Sequence, residues 1–263
     1  MEVVDGTVLV TGATGGIGEA IATAFAGRGA SVIVSGRRVE VLDALAARLG
    51  AKAIACDLSN HDEVDRLIAD AGQPDVLVAN AALPASGVLT ELEQEQIDRM
   101  LEVNLRAPIA LARGLAPAMI ARGSGHLVLV SSLAGKVASP ASAVYSATKF
   151  GLRGFAHGLR EDLRPHGVGV SVVLPGFIRD AGMFAEADAQ LPRGVGTRTP
   201  EDVAAAVIAA VEHNRAEVEV APLGLRLGAA FAGLAPGLAA SVSRRMGSER
   251  LASDIAAAQR NKR

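Results

Sequence analysis

Short runs of apolar, β-branched residues alternate along this chain with longer segments rich in Ala and Leu. The apolar runs lie at Thr7–Thr11, Ser31–Ser35, Lys52–Cys56, Val76–Ala79, His126–Ser131, Gly169–Leu174 and Val218–Ala221. They are nearly continuous in hydrophobicity, as strands are when both faces are buried. Helical patterns occupy 17–28, 38–49, 60–70, 91–122, 142–164 and 200–213. This alternation predicts an α/β fold, a doubly wound parallel sheet with helices on both faces. No linker-like composition or repeat divides residues 1–263, so a single domain is expected. Local punctuation agrees with it. Thr199-Pro200-Glu201-Asp202 reads as a helix start, with a capping hydroxyl, a first-turn proline and acids facing the helix dipole. Gly50 and Gly167 fall where helices should stop.

Composition narrows the class. A chain of 263 residues can bury a core without disulfides or metal. A net charge of −2 offers no broad basic field for nucleic acid. The one cysteine, Cys56, excludes an internal disulfide and fits a reducing compartment such as the cytoplasm; in its apolar run it reads as core. The five histidines, at 61, 126, 157, 166 and 213, lack metal-ligand spacing, so no metal is expected. The N-terminus shows no basic segment followed by an apolar signal core. Residues 216–263 form an apolar and basic C-terminal extension of open role. Within it, Leu227–Val242 is broken by glycines and Pro236 and reads as helix pieces packed on the body or a partner. Contact with a membrane surface is the lesser reading.

The first strand runs into Thr11-Gly12-Ala13-Thr14-Gly15-Gly16-Ile17-Gly18, and a helix follows. Glycines there allow a tight turn and close approach of backbone N–H groups to a pyrophosphate. The spacing Gly12…Gly16-x-Gly18 is wider than the common G-x-G-x-x-G. At the end of the second strand, Ser35-Gly36-Arg37-Arg38 has two guanidinium groups where an NAD-binding chain carries an acid. They suit a 2′-phosphate, so NADP(H) is favoured over NAD(H). The lesser reading is that Arg38 merely opens the next helix on its solvated face. Asp57-Leu58, after the third strand, could hold the adenine edge, or Asp57 could cap the following helix.

The only tyrosine, Tyr145, lies four residues before Lys149, one of four lysines. On a helix the two share a face. A buried cation beside a phenol lowers its pKa and readies it for proton transfer. Upstream, Ser131 and Ser132 end a buried strand, where ligands bind in open α/β sheets.

With these residues assembled, the chain resembles the short-chain dehydrogenase/reductases in their compact single-domain, Rossmann-type form, over about residues 5–215. The matching motifs are Thr11-Gly12-x-x-x-Gly16-x-Gly18, Asn80-Ala81-Ala82, Asn104, Ser132 placed 13 residues before Tyr145, Tyr145-Ser146-Ala147-Thr148-Lys149, and Pro175-Gly176. The resemblance implies that Tyr145 gives a proton to a carbonyl oxygen as nicotinamide delivers hydride to its carbon. It further implies that Ser132 holds that oxygen, that Lys149 lowers the tyrosine pKa and binds the nicotinamide ribose, and that Asn104 supports a water leading towards Lys149. The cofactor residues expected are Gly12, Thr14, Gly15, Gly16, Ile17, Gly18, Arg37, Arg38, Asp57, Leu58, Asn80, Ala81, Tyr145, Lys149, Pro175, Gly176 and Ile178. A homodimer or homotetramer through 91–122 and 142–164 is implied as well.

The sequence departs from that pattern twice. Ala82 replaces the usual glycine, and Asp180 stands where threonine is frequent. The segment Phe177–Arg198 is expected to cover a small carbonyl or alcohol substrate, with Met183, Phe184 and Leu191 apolar and Gly194 and Gly196 lending mobility. The competing class is a non-catalytic NAD(P)-binding regulatory protein on the same fold. A sugar-nucleotide epimerase or dehydratase is disfavoured, because residues 216–263 are too short for the substrate domain of those larger relatives.

Overall fold

Seven short runs become strands, and their pairing supplies the spatial order that the hydrophobic pattern lacks. The computed structural model describes residues 6–84, 87–182, 195–235, 237, 238 and 241. The strands are β1 (Thr7–Thr11), β2 (Ser31–Gly36), β3 (Lys52–Ala55), β4 (Val76–Ala79), β5 (Gly125–Val130), β6 (Val168–Pro175) and β7 (Glu217–Val220). They form one sheet in the order β3-β2-β1-β4-β5-β6-β7. Every neighbouring pair is parallel. The boundaries differ from the sequence reading by one or two residues. β5 and β6 start earlier and β7 is displaced by one, because hydrogen-bond register rather than hydrophobicity sets a strand's ends.

Eight helices cover the sheet among the described residues: α1 (Gly16–Ala26), α2 (Val39–Leu49), α3 (His61–Ala71), α4 (Gln94–Leu101), α5 (Ala107–Arg122), α6 (Ala143–Leu163), α7 (Pro200–Glu212) and α8 (Leu223–Leu234). Strand side chains alternate between two cores, as the pleat requires. Leu9, Leu77, Leu127, Leu129 and Val172 join Leu67, Leu111 and Leu152 from α3, α5 and α6. Val8, Val10, Val34, Val78 and Val128 join Ile21, Leu42 and Val207 from α1, α2 and α7. Both sheet faces are thus dry, which explains the unbroken apolar runs.

The helical pattern over 91–122 resolves into pieces. Glu93 and Gln96 form a capping box that starts α4. A π-helical turn, Glu102–Arg106, then joins α4 to α5. Asn104 lies in that turn, and its side chain bonds elsewhere in the fold. The Thr199 cap is borne out, with reciprocal bonds to Asp202 at 3.0 and 3.1 Å. Gly50 and Gly167 both adopt the left-handed conformation at helix ends, at φ 63° and 71°. Cys56 is buried, and burial followed by the charges of Glu63 and Asp57 pushes its thiol up to about 12, so it packs rather than reacts.

His126, the second residue of β5, is 2% exposed, with Nε2 2.8 Å from Ser171 Oγ. Burial, then the nearby Arg160, push its imidazole down to about 3 from 6.5. Its folded-state pKa lies below its unfolded value, so its contribution to stability is present above pH 6.5. That contribution is lost progressively as the pH falls from 6.5 towards 3. Urea unfolding at pH 7 and pH 5 will show the wild type losing roughly 2 kcal/mol more than His126→Gln over that interval.

Candidate active site

The strand order reverses between β1 and β4, and crevices for ligands form at the carboxyl ends of strands beside such a switch. The glycine loop leaves β1 at this point. Gly12 sits at φ +64°, and a Cβ there would lie 2.7 Å from Ala81 Cα. A Cβ on Gly18 would lie 2.3 Å from the Gly12 carbonyl oxygen. Both glycines are therefore demanded by backbone approach. Gly15 caps α1 without a side-chain hydrogen bond, and Gly15 and Gly16 are exposed. The N-terminal amides of an 11-residue helix thus face outwards from a glycine turn, which fits a dinucleotide pyrophosphate.

Asn80 braces this loop. Its Nδ2 donates to the Thr11 carbonyl at 3.1 Å and to the Gly12 carbonyl at 3.4 Å. Thr11 Oγ1 accepts from the backbone N–H groups of Asn80 and Ala81 at 3.2 and 3.3 Å. The sequence shows Thr11 as part of the glycine-loop motif but not its bracing role, because its partner lies 69 residues away. Arg37 and Arg38 are both exposed at the end of β2, and the Arg38 guanidinium donates to the Thr14 carbonyl. Arg38 also occupies the cap position of α2, so it stands at the helix entry and at the rim of the glycine loop together.

One of the two readings of Asp57 is corrected. Asn60 caps α3, accepting from Asp62 and Glu63. Asp57 instead accepts from the Ser59 N–H at 3.0 Å and hydroxyl at 2.7 Å. Burial pushes its carboxyl up, but those bonds and the charges of Arg37 and Arg99 outweigh it and hold the pKa low. Leu58 and Ile178 are buried.

Ser132, Tyr145 and Lys149 come together where β5 ends and α6 begins. Lys149 is 2% exposed and its Nζ donates to the Val130 carbonyl at 3.1 Å. That Nζ lies 5.6 Å from the Tyr145 ring centre. Burial pulls the lysine down to about 8. Tyr145 is pushed up to about 12 by burial, against the pull of a hydrogen bond with Ser132. The expected lowering of the tyrosine pKa is therefore not found: desolvation outweighs the Ser132 hydrogen bond. Ser132 Oγ accepts from the Ala134 N–H at 3.1 Å and donates to the Pro175 carbonyl at 3.4 Å. Ser131 is turned inward, its hydroxyl bonding the Lys149 carbonyl at 2.9 Å.

Asn104 reaches the backbone of Leu83, accepting from its N–H at 2.7 Å and donating to its carbonyl at 3.0 Å. Its side chain is thereby engaged in both directions and clamps the loop after β4 to the π turn. Asn104 is fully buried. Gly176 is held by Val220, and a Cβ on it would meet Ala221 at 3.1 Å and Leu133 at 3.2 Å. Asp180 adopts φ +67°, with its carboxylate exposed beside Arg179 at 3.4 Å. Ala82 is half-buried. Of the expected substrate cover, Met183–Gly194 lies outside the described residues. Among the described residues no cluster of His, Cys, Asp and Glu could hold a metal.

A second polar assembly flanks the site. Lys136, just past the Ser132 turn, contacts Glu217 and Glu219 of β7 at 2.5 Å each. Glu217 also receives Arg153 at 2.6 Å and His157 at 3.0 Å, both from α6. Arg226 of α8 completes the set on Glu219 at 3.0 Å.

Residues 6–192 match the short chain dehydrogenase family. The ketoacyl reductase HetN of Nostoc sp. is 37% identical over 224 residues, which cover 81% of this chain and 78% of HetN. Nodulation protein G of a Rhizobium species is 40% identical over 66% of this chain and 73% of its own. A short-chain dehydrogenase from Sphingobium yanoikuyae solved with NADPH superposes with a TM-score of 0.77 at 29% identity, covering 89% of this chain and 94% of that one. The chain belongs to the short-chain dehydrogenase/reductase family, and it is an oxidoreductase on a nicotinamide-binding fold.

Burial pushes the Glu217 carboxyl up, but the bonds from Arg153, Lys136 and His157 outweigh it and bring it down to about 2. A depressed carboxylate stabilises the fold above its ordinary pKa of 4.5 and loses that contribution as the pH falls to about 2. Glu217→Gln will cost about 1–2 kcal/mol at pH 7 after screening by water, measured by chemical unfolding. The gap to wild type will close as the pH falls through that window.

Proposed function

We propose that this protein transfers a hydride between NADP(H) and a carbonyl or alcohol substrate, with Tyr145 as the proton-transferring residue. The meeting of Ser132, Tyr145 and a buried Lys149 at the carboxyl end of β5 carries this reading. NADP(H), when bound, supplies or accepts the hydride. Its pyrophosphate would rest on the amides of Gly15, Gly16, Ile17 and Gly18, and its 2′-phosphate between Arg37 and Arg38. The nicotinamide end would meet Asn80, Ala81, Tyr145, Lys149 and the turn Pro175-Gly176-Phe177-Ile178.

In the reductive direction Ser132 donates a hydrogen bond to the carbonyl oxygen. Tyr145 is a neutral phenol at pH 7, given a pKa of about 12, and so holds the proton that this oxygen needs. Lys149, with a pKa of about 8, still carries its charge at pH 7. Its cation stabilises the phenolate left behind and lowers the cost of the transfer. Asn104 acts through its clamp on Leu83, which fixes one wall of the cleft. The names of the Nostoc relative and of a structural neighbour titled a putative betaketoacyl-ACP reductase make a ketoacyl group the first carbonyl to try. The reduced, buried Cys56 suits a cytoplasmic setting. A homodimer or homotetramer through α4, α5 and α6 is part of the same reading, since Leu101 and Phe150 expose 39% and 42% of their surface there.

Tyr145→Phe will lower NADPH oxidation on a carbonyl panel by 100-fold or more while leaving the thermal unfolding curve near that of the parent. Equal turnover would instead favour a non-catalytic nucleotide-binding protein. Arg37→Ala and Arg38→Ala will each weaken NADPH binding about tenfold, read by fluorescence titration, and leave NADH binding unchanged.

A further inference from the structure

α8 is buried on one side and apolar on the other. Ala229 and Ala232 rest on the body at 5% and 8% exposure. Leu223, Leu227, Phe231 and Leu234 are 65%, 62%, 48% and 87% exposed. At 100° per residue these four fall within an arc of roughly 80°, and that arc points away from the buried alanines. Leu238, beyond the helix, is 65% exposed as well. The charged group on α8, Arg226, is paired with Glu219. A contiguous apolar crest of this kind marks an interaction site.

We propose that the outward face of α8 lies on an anionic lipid surface. Charge favours that partner over a soluble one. The sequence from Val220 to Ser248 contains no acidic residue and three arginines, Arg226, Arg244 and Arg245. Anionic headgroups attract such a segment, and acyl chains accept its leucines. Shape favours it too. The crest is convex, and a bilayer yields to a ridge, whereas a second copy must supply a matching groove. Two such helices laid together are each about 18 Å long, and contact of that length falls short of the ~1,000 Å² that a stable interface clears. No helix among the described residues is long and apolar enough to cross a membrane, so α8 would lie in the interface plane. It follows β7, the edge strand two places from β5, and Ala221 before it packs on Gly176. The helix proposed for lipid thus starts beside the turn Pro175-Gly176.

The test is co-sedimentation of the full-length protein with vesicles of phosphatidylcholine alone and of phosphatidylcholine with one-quarter phosphatidylserine. Wild type will pellet with the anionic vesicles, less so with neutral ones, and binding will weaken in 0.5 M salt. Leu227→Glu/Phe231→Glu will bind at least tenfold more weakly with an unchanged circular-dichroism melt. Leu234→Glu, at the most exposed position, gives the same direction of change if the double variant is unstable. Three outcomes overturn the proposal: no pelleting with either vesicle, equal binding to both, or undiminished binding by the glutamate variants. Failure of vesicle binding together with a drop in oligomeric state in the variants would assign the face to a second copy. None of these readouts depends on turnover.

Discussion

An ammonium group taken almost wholly out of water has to find a partner inside the protein, and Lys149 finds the Val130 carbonyl at 3.1 Å. Burying a charge without such compensation is costly. The bond ties the end of β5 to the second turn of α6. Ser131 adds a return bond from strand to helix through the Lys149 carbonyl. These contacts fix the register between strand and helix, and that register carries Ser132 and Tyr145 to each other. The same dehydration brings the lysine to about 8 and lifts the tyrosine to about 12. Position and acidity in the site therefore share a single physical origin, the removal of water around α6.

Much of the fold was legible in the sequence, because burial on both sheet faces writes itself as unbroken apolar runs. The glycine positions were legible as well, since backbone approach at Gly12 and Gly18 excludes any side chain. Spacing picked out Ser132 over Ser131, and the hydroxyl of Ser131 is indeed turned into the core. Partnerships across the chain were illegible. The support given by Thr11 and Asn80, the bond from Lys149 to Val130 and the assembly on Glu217 join residues far apart in sequence and leave no periodicity. The π turn at Glu102–Arg106 was hidden as well, and its Asn104 finds its partner, Leu83, on another loop. The tyrosine pKa went against expectation because a helical spacing reports neighbours and says nothing of desolvation.

The far edge of the sheet shows how polar groups can order a region that hydrophobic packing leaves open. The residues of β7 are mostly half-buried. Its two glutamates lie two residues apart, so they point to one side of the strand and would repel without the cations around them. Lys136 and Arg153 reach them from the active-site side, and Arg226 from α8. The turn carrying Ser132, the helix carrying Tyr145 and the start of α8 are in this way fastened to the same strand.

The clamp between Asn104 and Leu83 has a consequence for how such a site can change. Two hydrogen bonds hold the first residues of the loop after β4, and α4 takes up the chain again with its own capping box. The stretch between them is hemmed at both ends. Insertions, deletions or new side chains there fall between two anchored ends of the chain. Changes confined to that stretch can leave the register between β5 and α6, and with it the placing of Ser132, Tyr145 and Lys149, undisturbed.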